Sequence, residues 1–273
     1  MILVSQAFDS LERVKRNIAN VTTASRLEWA NTVNEQIYDY IIGINMQDYI
    51  VDNTIKILSG TAKYARATNF KNRKAPYTGI YETTTGTDYG LLYYDNLSNY
   101  FTAGLILTDG ISGATARIDE VHSNYLILSA ITGTFGDNNP ITDEDVGQAD
   151  VNGTIETFNR TETLLDYTNY GSSCYGYYEE GSNLVFTPMP QQDKIIVDRY
   201  IPLLTKITTV NQYFVNIPYS EGKYLELLRD MIMIQYEVFN RDGFSEQQAM
   251  IRANAVLNDF FSAINTEPRI FIL

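Results

Sequence analysis

Hydrophobic spacing changes twice along this 273-residue chain, and that change limits the folds open to it. Val4, Phe8, Leu11, Val14 and Ile18 recur at helical spacing and predict an amphipathic helix over residues 4–19. Ser25-Arg26-Leu27-Glu28 reads as a capping box, in which serine and glutamate satisfy free backbone N–H groups. Leu27, Ala30, Val33, Ile37 and Ile41 form the stripe of the helix it opens, and Gly43 is its stop. Residues 47–81 turn β-like, and between Glu82 and Arg160 helical periodicity is gone. There, residues 105–108, 116–118 and 126–129 read as short strands punctuated by Gly110, Gly113, Gly133 and Gly136.

Helical spacing returns near the end. Residues 184–190 and 195–200 read as a strand pair, and Ile217-Pro218-Tyr219-Ser220 opens a helix. That helix carries Tyr224, Leu227, Leu228, Met231, Gln235 and Val238 on one flank. Ser245-Glu246-Gln247-Gln248 is a second capping box, ahead of Ala249, Ala253, Val256, Phe260 and Ile264. The short link between these helices predicts an antiparallel hairpin. The expected fold is α+β: a helical core of N-terminal helices and a C-terminal helix hairpin, with a short β-hairpin section and an inserted antiparallel β domain. The expected boundaries are 1–81 with 161–265 for the core, 82–160 for the insert and 266–273 for a tail.

Charge narrows the partners. The net charge is −13, and residues 82–160 hold two basic against twelve acidic side chains. Such a surface does not grip a phosphate backbone as a whole, although an acidic wall lets DNA slide past. The 21 tyrosines suit both strands and surfaces that become covered on assembly. The single cysteine, Cys174, excludes an intrachain disulfide, and one His with one Cys cannot close a zinc site. No cofactor is expected. The start, Met1-Ile2-Leu3-Val4, lacks the basic n-region and apolar length of a signal peptide. No apolar run reaches membrane-spanning length, so synthesis in a cytoplasm without membrane insertion is expected.

Few residues invite chemistry. His122, the only histidine, sits in a turn between strands without a nucleophile-elbow pattern and reads as an exposed turn residue. Glu179-Glu180 and Asp143-Glu144-Asp145 are the visible acidic clusters. Adjacent strand residues point to opposite faces, and the triplet lacks the spacing of a calcium loop, so solvated loops are expected. Lys63, Arg66, Lys71, Arg73 and Lys74 form a basic cluster interleaved with Tyr64, Phe70 and Tyr77. It reads as a solvated basic loop, a contact to an acidic partner, or a contact to DNA phosphates. The segment Arg269-Ile270-Phe271-Ile272-Leu273 is apolar and β-prone after Pro268. It either packs on its own domain or adds a strand to a neighbouring subunit or a portal.

One stretch carries a resemblance. Gly181-Ser182-Asn183-Leu184-Val185-Phe186-Thr187-Pro188-Met189-Pro190 leads into a strand ending at Tyr200, and Ile217-Pro218 follows. With Ser59-Gly60-Thr61-Ala62-Lys63-Tyr64 earlier, this order resembles the head-to-tail adaptor (connector) proteins of tailed bacteriophages over residues 20–81 and 165–265. Residues 104–116 and 126–135 look like a β module repeatedly seen in phage structural proteins. The resemblance implies a non-enzymatic virion protein at the portal vertex. Copies of it form a ring, twelve-fold by analogy, between the portal and downstream tail proteins, and genomic DNA passes through without specific contact. Two rivals remain: a receptor- or carbohydrate-binding tail protein, and a cell-wall glycosidase using Glu179 or Glu180.

Overall fold

The computed structural model describes residues 1–15, 20–43, 49–73, 78–165, 176–215, 217, 221–240 and 246–265. Among the described residues, four helices and thirteen strands lie in two compact units. One joins Met1–Met46 to Leu203–Leu273; the other is Gln47–Pro202.

The first unit holds all the helices. Helix α1 (Val4–Glu12) buries Val4, Ala7, Phe8 and Leu11. It stops short of the expected 4–19, with Val14 exposed and residues 16–19 outside the described set. Helix α2 (Thr23–Gly43) starts before Ser25. Its cap is Thr22, whose Oγ1 accepts the Ser25 N–H at 3.2 Å, so the serine capping box does not form as expected. Ala30, Val33, Ile37 and Ile41 are buried as the spacing predicts, while Leu27, expected on the same stripe, is half-buried. Buried Asn34 and half-buried Asn31 meet the backbone of the returning segment. Asn31 both donates to the Ile207 carbonyl and accepts the Ile207 N–H at 2.8 Å, and Asn34 accepts the Val215 N–H at 2.7 Å. Helices α3 (Glu221–Asn240) and α4 (Glu246–Asn265) pack together; Ser220 and Ser245, their expected caps, lie outside the described residues. In α4 the buried stripe is Ala249, Ala253, Leu257 and Phe261, a strict i, i+4 ladder. Val256 and Phe260, expected to be buried, sit at its half-buried edge.

The described elements of the second unit are all strands. Its strands are β1 (Val51–Ile57), β2 (Lys63–Ala65), β3 (Phe70–Asn72), β4 (Gly79–Asn99), β5 (Ile106–Asp109), β6 (Thr115–Val121) and β7 (Tyr125–Thr132). Then come β8 (Pro140–Asp143), β9 (Gln148–Val151), β10 (Glu156–Leu164), β11 (Gly176–Glu180), β12 (Asn183–Thr187) and β13 (Lys194–Pro202). Strands β4, β7, β6, β5, β8 and β9 pair in that order, and β9 returns to β4, closing a six-stranded antiparallel barrel. Alternation supplies the inward residues, among them Leu92, Leu107, Ile118, Leu128, Ile141 and Val151, all fully buried. The 21-residue β4 runs on past the barrel to pair with β13, which pairs with β1 and β3, while β10 covers β4. Where β4 bulges against β10, Gly86 leaves room for Asn159. A Cβ there would sit 1.9 Å from the Asn159 side chain, whose Oδ1 accepts the Thr87 and Asp88 N–H groups.

These observations overturn the expected helical core. Strands make up 39% of the protein and helices 30%, and the barrel with its flanking sheet replaces a short hairpin section. Each short strand looks minor in the sequence, but closure joins them into one body. Residues 184–190 and 195–200 are not a hairpin either. Strand β12 pairs with β11 and β2 in a three-stranded sheet, whereas β13 joins the larger sheet. The prolines Pro188 and Pro190 cannot donate ladder hydrogen bonds, and residues 190–193 are held instead by Ser59 and Gly60. The cuts between the units fall at 46/47 and 202/203, so β1–β3 and β11–β13 group with the barrel strands. None of the helices among the described residues is long and apolar enough to cross a membrane.

Candidate functional site

The most concentrated chemistry lines a cleft of about 640 Å³ where β1, β6, β10 and β13 meet. Asp52 and Arg199 are cross-strand partners on β1 and β13. The arginine donates Nε to Asp52 Oδ1 at 2.8 Å and Nη2 to Oδ2 at 3.2 Å. Arg160, from β10, bridges the same carboxylate at 3.1 Å and Glu120 of β6 at 2.8 Å. Glu120 also accepts the backbone N–H and the hydroxyl of Thr54, both at 2.7 Å. His122 Nε2 lies 3.1 Å from Glu120 Oε2. The imidazole stacks on Tyr125 at 4.2 Å, and the Tyr125 hydroxyl donates to the Thr54 carbonyl at 2.8 Å.

The electrostatics follow from that wiring. Burial acts to raise the Glu120 carboxyl, but hydrogen bonds from His122 and Thr54 and the Arg160 charge outweigh it and hold it below its ordinary range. Burial, aided by the Glu120 charge, pushes the Tyr125 hydroxyl up. The result is an alternating relay, Arg199–Asp52–Arg160–Glu120–His122, whose members are occupied by one another. It joins β1 and β13 to the barrel turn between β6 and β7, and Asp119 lines the same cleft outside the relay. His122 is therefore in its expected turn but partly buried, not exposed.

Two members of the predicted basic cluster, Arg66 and Arg73, are turned inward, while Lys63 stays exposed. Arg73 donates Nε and Nη2 to Asp198 Oδ1 at 2.9 and 2.6 Å and also contacts Glu179. Arg66 donates to Glu179 at 2.7 Å and to the Gly181 carbonyl at 2.7 Å. Both guanidiniums lie over the Phe70 ring, at 4.2 Å for Arg66 and 4.6 Å for Arg73. Lys63 pairs with Glu180 at 2.7 Å, and Lys71 is half-buried on β3. Lys74 lies outside the described residues. Burial raises the fully buried Asp198 carboxyl despite Arg73, and its Oδ2 has no hydrogen-bond partner. Glu179 thereby serves as a structural counter-ion.

The acidic triplet is a turn device. Asp143 accepts the N–H groups of Thr102, Asp145 and Gly147, and no cluster among the described residues has the make-up of a metal site. Arg269, Ile270, Phe271, Ile272 and Leu273 lie outside the described residues. Sequence reasoning missed Asp52, Arg160 and Arg199, which are far apart in the chain. Their sequence neighbours, Val51 and Asn53, Asn159 and Thr161, and Asp198 and Tyr200, are mostly polar and give no local signal. No protein-family model matches the chain, and no curated protein matches it either.

Proposed function

We propose that this chain is a structural virion protein, a head-to-tail adaptor whose copies form a ring between portal and tail around the DNA passage. The order of elements supports this reading: helices first, strands with an inserted barrel, and a closing helix pair. The observation that carries it is one face of α4. Gln247, Met250, Ile251, Asn254, Ala255 and Asn258 are all exposed and none is charged. Depletion of charge with exposed apolar side chains marks interface cores. In a chain of net charge −13 an uncharged face can meet a second copy without like-charge repulsion. Repetition of one such heterologous contact closes a ring and leaves an axial channel.

The proposed partners are neighbouring copies, the portal and downstream tail proteins; genomic DNA passes transiently. At the cleft the ion pairs of Asp52, Glu120, Arg160 and Arg199 tie β1, β6, β10 and β13 together, which supports a structural role. To test this, the purified protein is mixed with portal-bearing, tail-less particles, and the portal vertex is imaged by electron microscopy. A new ring of density beneath the portal is expected. Density confined to distal fibres would sink the proposal and favour the receptor-binding alternative.

A further inference from the structure

A groove of the helical unit that shares Met250 with the α4 face is built to be filled. Helices α2, α3 and α4 enclose a groove of about 500 Å³ whose apolar wall is Trp29, Val238, Phe239, Ala249 and Met250. Phe239 lies edge-on to Trp29 at 5.6 Å yet remains 66% exposed, and Met250 is 54% exposed. Exposed Glu28 stands at the rim. Leaving a large aromatic ring this open in water costs on the order of 1–2 kcal/mol relative to covering it.

The same chain carries a segment with the matching chemistry. Arg269-Ile270-Phe271-Ile272-Leu273 places one cation before four apolar residues. In an extended segment Ile270 and Ile272 face one way and Phe271 and Leu273 the other, so one pair can enter an apolar groove. Arg269 is the counterpart of Glu28.

Chain geometry decides whose groove it fills. Met250 lies in the first turns of α4 and Asn265 at its end, so about 22 Å of helix axis separate them. Five residues beyond Asn265 reach at most about 18 Å even when fully extended, which leaves Ile270 short of Met250. Phe271 and Leu273 draw level with Met250, at up to about 22 and 29 Å, only when the segment runs back fully extended along α4, a constraint that the groove of a second copy does not impose. We infer that residues 269–273 of one copy dock in the α2–α3–α4 groove of a second copy. This contact is heterologous, as a closed ring requires, and rests on the ring reading only for the number of copies it links.

Trp29, the only tryptophan in the chain, sits in the groove wall and reports on it. A synthetic peptide of residues 266–273 is titrated into the full-length protein while Trp29 emission is followed. A saturable change in emission is expected, with affinity falling at least about tenfold for Met250→Glu and for Phe239→Ala. Both changes are at exposed positions, and circular dichroism checks that the variants fold. A peptide carrying Phe271→Asp should bind more weakly by a similar factor. No change at Trp29 up to millimolar peptide, or an equal response in the Met250→Glu protein, would overturn the inference. The titration needs neither portal nor ring. An empty portal vertex with intact peptide binding would therefore remove the adaptor reading alone.

Discussion

The barrel and the sheets beside it bury their strands in opposite ways. Inside the barrel, Leu92, Leu107, Ile118, Leu128 and Ile141 meet without a charge among them. The one charged group fully buried there, Asp109, is saturated: it accepts the N–H groups of Ile111, Ser112 and Gly136 and the Asn139 amide. Next to it, β3, β11 and β13 are tied by Arg73, Arg66, Glu179 and Asp198, a charged cluster with one buried oxygen left unpaired. An apolar interior tolerates loss of any one contact in proportion to the volume removed. A buried charge cluster depends on every member, because each deletion strands its partner.

The largest effect should come from the charged side. Arg73→Ala leaves Asp198 buried without its counter-ion and is expected to cost about 3–5 kcal/mol. The double change Arg73→Met with Asp198→Leu should recover most of that loss. Denaturant unfolding of the single and double variants would measure both, and a double variant as weak as the single would show that charge pairing is not what holds these sheets. On the barrel side, Ile118→Ala should cost about 2–5 kcal/mol from the lost transfer energy and the cavity. No second substitution elsewhere among the barrel strands should rescue it.

A smaller effect separates the two regions by pH. Burial opposes ionisation of Asp109, yet its hydrogen bonds prevail and hold it well below the usual carboxylate range. Its stabilisation is present above the unfolded value of about 4 and is lost as the pH falls toward its lower folded value. Asp198 is raised, so its contribution has the reverse sign: present below about 4 and lost as the pH rises through its folded value. Asp109→Asn turns an amide toward the Gly136 N–H, should cost about 1–3 kcal/mol at neutral pH, and should flatten the acid limb of the stability curve. Asp198→Asn should flatten the limb above pH 4. Unfolding midpoints from pH 3 to 7 would check both, and limbs of the same sign would break the contrast. The smallest effect belongs to the helical unit, where Phe239→Ala should change stability by no more than about 0.5 kcal/mol while weakening capture of the 266–273 peptide.

The sequence by itself determined the local pieces. Helical spacing located the buried stripes of α2 and α3, because i, i+4 neighbours meet whatever the rest of the chain does. Alternation in 105–108, 116–118 and 126–129 located β5, β6 and β7, since side-chain direction on a strand has a period of two. What surrounds a residue was decided only by the tertiary structure. The basic run of 63–74 looked solvent-facing because its counter-charges, Glu179, Glu180 and Asp198, lie more than a hundred residues away. The relay at the cleft draws on residues 52, 120, 160 and 199, and nothing local links them. Closure of the barrel rests on the return of β9 to β4, with Tyr94 opposite Val151. Pairing at that distance is set by which edges remain open once the other strands have found partners, and no local window of sequence contains that information.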